Sequence, residues 1–576
     1  MYGSSNLIIA PNFNGVPNLE ELVLARCSNL RRLHPSIGKR KKLKLLDLRM
    51  CPKLTSLPKK FEMESLVTLN LTKCLKVKKI PEFVGNMKLL RELLLEGTAI
   101  IELPSSVECL TGLNILILYD CKNLVCLPDT ICSLTSLNTI DLGRCSKFNK
   151  LPEDLGNITS LEYLNLSQTA IKELPLSVEF LIGITSLSLE GCKNFVLLPG
   201  TICSLKSLKR IALCGCSKFD KLPKDLGNIT SLKYLNLSAT AIKELPSSVE
   251  FLIGLTSLNL RDCKNFVLLP STVCNLKSLN TIILSGCSKF DKLPENLGNL
   301  ECLHDPLFGG IDPVLCFDGT AIELLPSSIG RLAAVKDLNL KDCKNLVCLP
   351  STICNLKLRC LDLTGCSKIA NLPENLGNMK SLMKLLLDRT AIKELPSSTI
   401  HLKWLLRVSF KGCQLSSSSL TSMPRSEEID LSDCNLSAIP SGIVRILSAI
   451  PSSIELAESL SAEFTCGLFL RGNDFVSLPE SISQFFGLTH LFLDGCKSLR
   501  SLSNIRIPSK VYFICVDNCT SLERLPEPQN DFYWSTSAAN INFKVQCFNC
   551  FKLAYNIQNF SNMFQVSHFL ISMFVF

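Results

Sequence analysis

The chain has 576 residues, more than a single hydrophobic core usually supports, so its length predicts several domains or a repeat array. Hydrophobic residues make up 46% of the chain and charged residues 19%, a composition that excludes wholesale disorder. Lys and Arg number 61 against 51 Asp and Glu, a formal net charge of +10. The segment from Leu30 to Ile80 holds 15 basic and 3 acidic residues, so the positive excess lies at one end of the chain.

The chain shows no export signal at its amino terminus, which lacks both the basic region and the long apolar stretch of a signal peptide. No run reaches the roughly 18 apolar residues that a membrane helix requires, so no membrane span is expected. The 30 cysteines are too sparse for a small disulfide-stapled scaffold. We therefore expect a cytoplasmic or nucleo-cytoplasmic protein with reduced thiols.

One leucine pattern returns along almost the whole chain. The pattern LxxLxLxxCxxLxxL begins at Leu19 and again at Leu43, and its average period of about 24 residues lies in the range of leucine-rich repeats. We count about 21 copies, the last ending at Leu525. A longer period of about 71 residues, three repeats, is marked by TAI at Thr98, Thr169, Thr240, Thr320 and Thr390.

The spacing within each copy predicts its local structure. Alternating leucines direct one side of a short strand inward, and the LPxxI or LPxxL segment ends the strand because proline cannot continue it. Segments such as SSVEFLIGL predict short helical stretches on the opposite side, and neighbouring repeats must stack to bury their leucines. The expected fold class is α/β: a leucine-rich-repeat horseshoe solenoid with a concave parallel β-sheet and a helical or irregular convex side.

The expected organisation has three parts. Residues 1–16 resemble a truncated, uncapped first repeat, and residues 17–526 form the solenoid, with an insertion near 304–312 and an irregular stretch at 411–464. Residues 527–576 are predicted to be the truncated start of a domain that follows the repeats. An uncapped strand edge invites association, so a fragment or truncated gene product is expected.

Half of the cysteines occupy the ninth position of the pattern, where a small side chain points into the turn that leaves the strand. A buried thiol behaves there as a small hydrophobic group, so we predict a structural ladder. Disulfide pairing or metal binding remains the alternative, because adjacent rungs lie about 5 Å apart. The predicted ladder residues are Cys27, Cys51, Cys74, Cys121, Cys145, Cys192, Cys216, Cys263, Cys287, Cys343, Cys366, Cys413, Cys434, Cys496 and Cys519.

The basic end of the chain is a candidate interdomain surface, because stacking of repeats gathers separate basic runs into one patch. A solvated face and an acidic protein partner both stay open. Nucleic acid is not expected, since no aromatic residues are interleaved for base stacking. The predicted patch consists of Lys39, Arg40, Lys41, Lys42, Lys59, Lys60, Lys78 and Lys79.

The concave positions change character near the carboxyl end, from small and polar residues to aromatic ones. Exposed aromatic residues with charged neighbours are typical of interface hot spots, although coverage by another domain or simple exposure remains open. The predicted partner-binding residues are Phe469, Arg471, His490, Phe492, Asp494, Tyr512, Phe513 and Asp517.

Enzyme signatures are missing from the sequence, which contains no phosphate-binding loop, HExxH or nucleophile elbow. The five histidines have no metal-ligand spacing, and the pair Cys547 and Cys550 lacks a second pair for zinc. We therefore predict no catalytic residues, no metal and no cofactor.

The motifs resemble the repeat region of plant intracellular immune receptors of the TIR–nucleotide-binding–LRR class. The resemblance rests on the segment Gly15–Cys51, on GTAIIELPSSV from Gly97, on LFLDGCKSLRSL from Leu491, and on VDNCTSLERLPEP from Val516. CFNCFKL from Cys547 resembles the opening of that family's domain after the repeats. The TIR and nucleotide-binding domains themselves have no counterpart in this chain.

The resemblance implies a protein-recognition module without enzymatic activity. Its repeats would bind a pathogen effector or a guarded host protein, and its basic beginning would contact a nucleotide-binding domain. Two alternatives stay open: an extracellular ligand-binding ectodomain of a receptor-like protein, and an intracellular scaffold or ubiquitin-ligase adaptor.

Overall fold

The computed structural model describes residues 1–300, 313–415, 426–437, 466–478, 480–484, 487–503, 506–508, 510–525, 544–553 and 570–572. The chain forms two compact units, Met1–Phe290 and Asp291–Phe576. The predicted insertion at 304–312 lies outside the described residues, as do 416–425 and 438–464 of the irregular stretch. Among the described residues no helix is long and apolar enough to cross a membrane.

The first unit is built on a parallel sheet in which each repeat adds one short strand. Successive strands pair in register, for example Leu22 with Leu46 and Leu46 with Leu69, so the central leucines form one buried row. The strands are β1 Glu21–Val23, β2 Leu45–Asp47, β3 Lys60–Phe61, β4 Thr68–Asn70, β5 Glu82–Phe83, β6 Glu92–Leu94, β7 Ile115–Ile117, β8 Thr139–Asp141, β9 Tyr163–Asn165, β10 Ser186–Ser188, β11 Arg210–Ala212, β12 Tyr234–Asn236, β13 Ser257–Asn259 and β14 Thr281–Ile283.

Strands β3 and β5 stand apart from this sheet and form a second, two-stranded parallel sheet. The sequence pattern does not predict this second sheet, because each of its strands is only two residues long. Phe61 and Phe83 pair across it with ring centroids 6.4 Å apart, and both rings are fully buried. This small sheet takes the place that short helices hold in the following repeats.

The opposite side of the first unit carries one-turn 3-10 helices. In most of them a proline precedes the helix with an extended backbone, such as Pro104 at φ −67° and ψ 147°, and the turn then closes by an i→i+3 bond from Val107 N to Pro104 O. The helices are Pro35–Lys39, Ser105–Cys109, Asp129–Ser133, Leu155–Asn157, Leu176–Phe180, Gly200–Ser204, Leu226–Asn228, Ser247–Phe251 and Ser271–Asn275.

The second unit repeats this construction. Its strands are β15 Val314–Cys316, β16 Asp337–Asn339, β17 Cys360–Asp362, β18 Lys384–Leu386, β19 Arg407–Ser409, β20 Glu428–Asp430, β21 Cys466–Phe469, β22 Leu488–Phe492, β23 Phe513–Cys515, β24 Lys544–Gln546 and β25 Leu570–Ser572. Each strand pairs in parallel with the next. Its 3-10 helices are Leu297–Asn299, Ser327–Arg331, Ser351–Asn355, Leu376–Asn378, Ser397–His401 and Glu480–Gln484.

Two strands of the second unit bear on the expected organisation of the chain. Strand β20 lies inside the stretch 411–464, and it pairs with both neighbours in ordinary parallel register. Strands β24 and β25 lie beyond residue 526 and extend the same ladder from β23. A separate domain over 527–576 stays a prediction, with the described residues there following the repeat pattern.

The core of each unit lies between the sheet and the helix side. Inward leucines are nearly all fully buried, and phenylalanines fill the space behind them, as in the stacked pair Phe195 and Phe219 at 5.9 Å between centroids. Burying one such side chain contributes on the order of 1.5–3 kcal/mol, and every repeat contributes several. The predicted fold, a leucine-rich-repeat solenoid of short parallel strands backed by helical or irregular turns, is confirmed.

Candidate protein-recognition site

The predicted ladder cysteines lie in a buried column within each unit, each side chain at most 4% exposed. From Cys51 onward each thiol lies 2.9–3.2 Å from a backbone carbonyl of the preceding repeat, as Cys216 Sγ does from Leu189 O at 3.0 Å. Burial raises the pKa of Cys74, Cys216 and Cys287 to about 12, so these thiols stay protonated at neutral pH. Every cysteine whose side chain the structure describes is a free thiol.

The threonine rungs fill the same column by a different bond. Thr169 Oγ1 donates to Leu166 O at 2.7 Å, within its own turn, and lies 3.3 Å from Cys192 Sγ on the next rung. In the first unit two cysteine rungs separate Thr98 from Thr169, and two more separate Thr169 from Thr240.

One rung of the ladder was missed in the sequence. Cys550 Sγ lies 3.0 Å from Val516 O, in the position that Cys519 Sγ takes one repeat earlier against Leu493 O. The signal was present, since Val545 and Cys547 occupy the two leucine positions of LxLxxC. The pair Cys547 and Cys550 is thus buried in the repeat core, and no group of His, Cys, Asp and Glu in the described part could hold a metal ion.

The predicted basic patch divides into paired and solvent-exposed side chains. Lys41 forms an exposed ion pair with Glu64 at 2.8 Å, and this bond raises the pKa of Lys41. The guanidinium of Arg40 donates to the backbone oxygens of Ser36 and Phe13, at 3.2 Å and 3.3 Å. Lys42 Nζ donates a hydrogen bond to the side-chain oxygen of Asn18, at a distance of 2.8 Å.

The other lysines of the patch are exposed and lie on three successive repeats. The helix that ends at Lys39 contacts strand β3, which carries Lys60 next to Lys59. Lys78 and Lys79 follow a ladder cysteine on the next repeat. Of the predicted set, Lys39, Lys59, Lys60, Lys78 and Lys79 remain available to an acidic surface.

Strands β21, β22 and β23 bring the predicted aromatic residues together on the outward face of the sheet, the face that points away from the leucine core. Phe469 and Phe492 stack in parallel with centroids 4.5 Å apart and an interplanar angle of 3°. Phe513 continues the row 5.5 Å from Phe492, and His490 meets Tyr512 edge-on at 4.6 Å. These five side chains, each half-buried, are called the aromatic cluster.

A charged pair holds the aromatic cluster in place. The Arg471 guanidinium carbon lies 4.6 Å from the Phe492 centroid and 5.4 Å from that of Phe469. Arg471 Nε lies 2.9 Å from Asp494 Oδ1, and both atoms are shielded from solvent. The charge of Arg471 is therefore already balanced by a carboxylate.

A glycine before the cluster makes room for its first ring. A β-carbon added at Gly467 would lie 2.9 Å from Cε2 of Phe469, so the ring lies over the position where other residues carry a side chain. The strand register also shifts between Cys466 and Gly467. Such bulges re-aim side chains. Gly467 was not among the predicted site residues, because a missing side chain gives no signal in the repeat pattern.

The remaining predicted site residues have defined partners. Asp517 accepts hydrogen bonds from the Gln546 side chain and from Phe548 N, the latter at 2.7 Å, and this ties the cluster to β24. Burial lowers the pKa of His490 below its usual value of 6.5, so its ring is neutral at pH 7. The structure thus brings all eight predicted partner-binding residues together, with the charge of Arg471 balanced by Asp494 and the Asp517 carboxylate held by hydrogen bonds from Gln546 and Phe548.

Comparisons with known proteins agree with the repeat pattern. A family model described as a leucine-rich repeat region matches residues 211–306. TMV resistance protein N of Nicotiana glutinosa is 37% identical over 46% of this chain, and disease resistance-like protein DSC1 of Arabidopsis thaliana is 36% identical over 42%. Disease resistance protein RPP2A of Arabidopsis thaliana is 37% identical over 19%. The chain spans only 8% to 24% of the lengths of these three relatives.

Solved structures share the fold at low sequence identity. The plant peptide hormone receptor RGFR1, solved in complex with RGF2, is 20% identical with a TM-score of 0.56, and covers 99% of this chain and 96% of its own. A TDR receptor structure is 16% identical with the same TM-score, and covers 99% and 93%. Leucine-rich-repeat folds serve as protein-interaction scaffolds. The chain thus has a leucine-rich-repeat fold, and its sequence is similar to plant disease resistance proteins.

Proposed function

We propose that this chain is the protein-recognition part of an intracellular plant immune receptor, and that it acts in the cytoplasm by binding a pathogen effector or a guarded host protein. It works by binding alone, without catalysis or a cofactor. The relatives named for disease resistance support this role, and the free buried thiols of the ladder suit a reducing compartment.

The observation that carries the proposal is the aromatic cluster on the outward sheet face. Half-exposed aromatic rings fixed by stacking lose little conformational freedom on binding, which is why such residues dominate interface energetics. Because Arg471 is neutralised by Asp494, a partner can cover the cluster without burying an unpaired charge there.

In the proposed function the basic amino-terminal repeats form a second contact, in which they bind an acidic surface of a nucleotide-binding domain. Exposed lysines such as Lys39, Lys59 and Lys60 would steer this contact, and salt would weaken it. The structure changes how this is best tested. Arg40 bonds to backbone oxygens, so reversing its charge would also disturb the fold.

The test is a matched pair of double variants in the full chain, expressed in plant leaf tissue. Phe492→Ala with Phe513→Ala removes two rings of the aromatic cluster. Phe180→Ala with Phe251→Ala removes two rings of the same kind from the helix side of the first unit, 56% and 57% exposed.

The captured proteins are quantified by mass spectrometry, and circular dichroism monitors the fold. A partner lost from the first variant and retained by the second supports the proposal. Equal capture by both variants, with unchanged spectra, would remove the aromatic cluster from it.

A further inference from the structure

The sheet face beside the aromatic cluster is acidic. Asp430 on β20 lies in register with Phe469 on the neighbouring strand, and Asp362 on β17 occupies the same row three strands earlier. Between them, Asp388 follows β18 and accepts bonds from the Ser409 hydroxyl and from the backbone nitrogen of position 411. Asp362, Asp388 and Asp430 are called the acidic strip.

The acidic strip has no cationic partner of its own within the described residues. Three nearby basic side chains are bound elsewhere: Arg407 lies 3.3 Å from Glu428, Lys411 lies 3.7 Å from Asp433, and Arg389 lies 3.9 Å from a carboxylate on an earlier rung. No Lys or Arg nitrogen that the structure describes approaches the three carboxylates of the strip within 4 Å.

The carboxylates of the strip also act on one another. Burial, together with the like charges of Asp430 and Asp362, raises the pKa of Asp388 above its usual value. A cation placed over the strip would relieve this repulsion. The sheet face therefore presents two kinds of surface side by side: uncharged aromatic rings, and carboxylates that lack a paired cation among the described residues.

We propose that the occupant of the aromatic cluster is an extended segment of a partner protein that carries Lys or Arg side chains next to an apolar anchor. This inference rests on the proposed function and adds the chemistry of the partner. The anchor packs on Phe492 and Phe513, and the cationic side chains lie over Asp430 and Asp388.

Strand spacing fixes the expected pattern of that segment. Asp388 follows β18, Asp430 lies on β20 and Phe492 lies on β22, so each contact is two strands from the next. Two strand spacings are about 10 Å. An extended segment in the polyproline II conformation rises about 3.1 Å per residue and completes a turn every three residues, so every third side chain lies on the same face, about 9 Å from the last. The segment reads basic-x-x-basic-x-x-apolar, in either chain direction.

The test uses fluorescence polarisation of labelled heptapeptides with the full chain. The probes are Arg-Ser-Ser-Arg-Ser-Ser-Phe and its reverse, the same pair with Glu in place of Arg, and the same pair with Ser in place of Phe. The Arg-containing Phe peptides should bind about tenfold more tightly than both sets of controls, and salt should reduce the difference.

Charge-neutral variants identify the strip as the source of the preference. Asp388→Asn with Asp430→Asn keeps the size of both side chains and should lower the affinity for the Arg peptides about tenfold. Equal binding of Arg and Glu peptides, an unchanged affinity in this variant, or no binding of any peptide overturns the inference.

The two proposals fail in different ways. Peptide binding that needs Phe492 and Phe513 but ignores the acidic strip overturns only the charge of the occupant and leaves the proposed site standing. Self-association through Phe492, measured by sedimentation, would make a second copy of the chain the occupant and would also overturn the inference. The matched phenylalanine variants test the proposed site itself, and equal capture by both would refute it.

Discussion

The buried thiol ladder makes a prediction that needs no partner. The exposed thiols Cys126 and Cys348 should react with iodoacetamide in the folded chain, whereas ladder thiols such as Cys216 should not. Burial raises the pKa of Cys216 from its usual 9.0 to about 12. At pH 8 the thiolate fraction then falls from about one tenth to about one in ten thousand, because the fraction changes tenfold per pH unit. Protonation alone slows alkylation about a thousandfold, and burial blocks access further.

The assay is timed alkylation at pH 8 followed by peptide mass spectrometry. Guanidinium serves as the control, since unfolding should make all these thiols react at similar rates. If Cys216 and Cys287 are alkylated in the folded chain as fast as Cys126, the ladder is not buried and the reasoning fails.

Three further predictions concern stability and the two candidate surfaces. Between pH 9 and 12 the unfolded chain loses thiol protons that Cys74, Cys216 and Cys287 keep in the folded chain, because burial raises their pKa to about 12. The free energy of unfolding should therefore fall by about 1.4 kcal/mol per pH unit for each of these thiols. Cys216→Thr should shift alkaline unfolding, followed by circular dichroism, to higher pH. Gly467→Ala should displace the Phe469 ring, remove about 0.5–1.5 kcal/mol of stacking, lower the melting temperature slightly and weaken partner binding about three- to tenfold in titration calorimetry. Lys59→Glu with Lys60→Glu should abolish salt-sensitive co-precipitation with a nucleotide-binding domain; an undiminished yield would exclude these lysines from the contact.

The strands were predictable from the sequence because a repeat overdetermines them. In each copy the leucine alternation, the turn and the ladder residue predict the same strand. Ile429, Leu431 and Cys434 therefore predict even β20, which lies inside the irregular stretch. Cys550 obeys the same rule, but it was overlooked because Val545 and Cys547 replace the leucines. The sheet of β3 and β5 carries no such pattern, and two-residue strands depend on their neighbours.

The site was predictable in its members but not in its geometry. Period-two alternation places Phe469, Phe492 and Phe513 on one face, yet it cannot show that Gly467 leaves space for a flat ring. Nor does it show which carboxylates pair with cations: Asp494 pairs with Arg471, whereas Asp430 accepts a hydrogen bond from the backbone of its own turn. Ion pairs depend on side-chain reach across strands, which spacing in the sequence does not encode.

The most direct test of the account is site-specific photo-crosslinking of the full chain in plant cells. Benzoylphenylalanine is introduced as Phe492→benzoylphenylalanine on the outward sheet face, or as Phe180→benzoylphenylalanine on the helix side. Recognition through the aromatic cluster predicts a discrete protein adduct from position 492 that is missing from position 180. Adducts only from position 180, or identical adducts from both, would contradict recognition through the aromatic cluster.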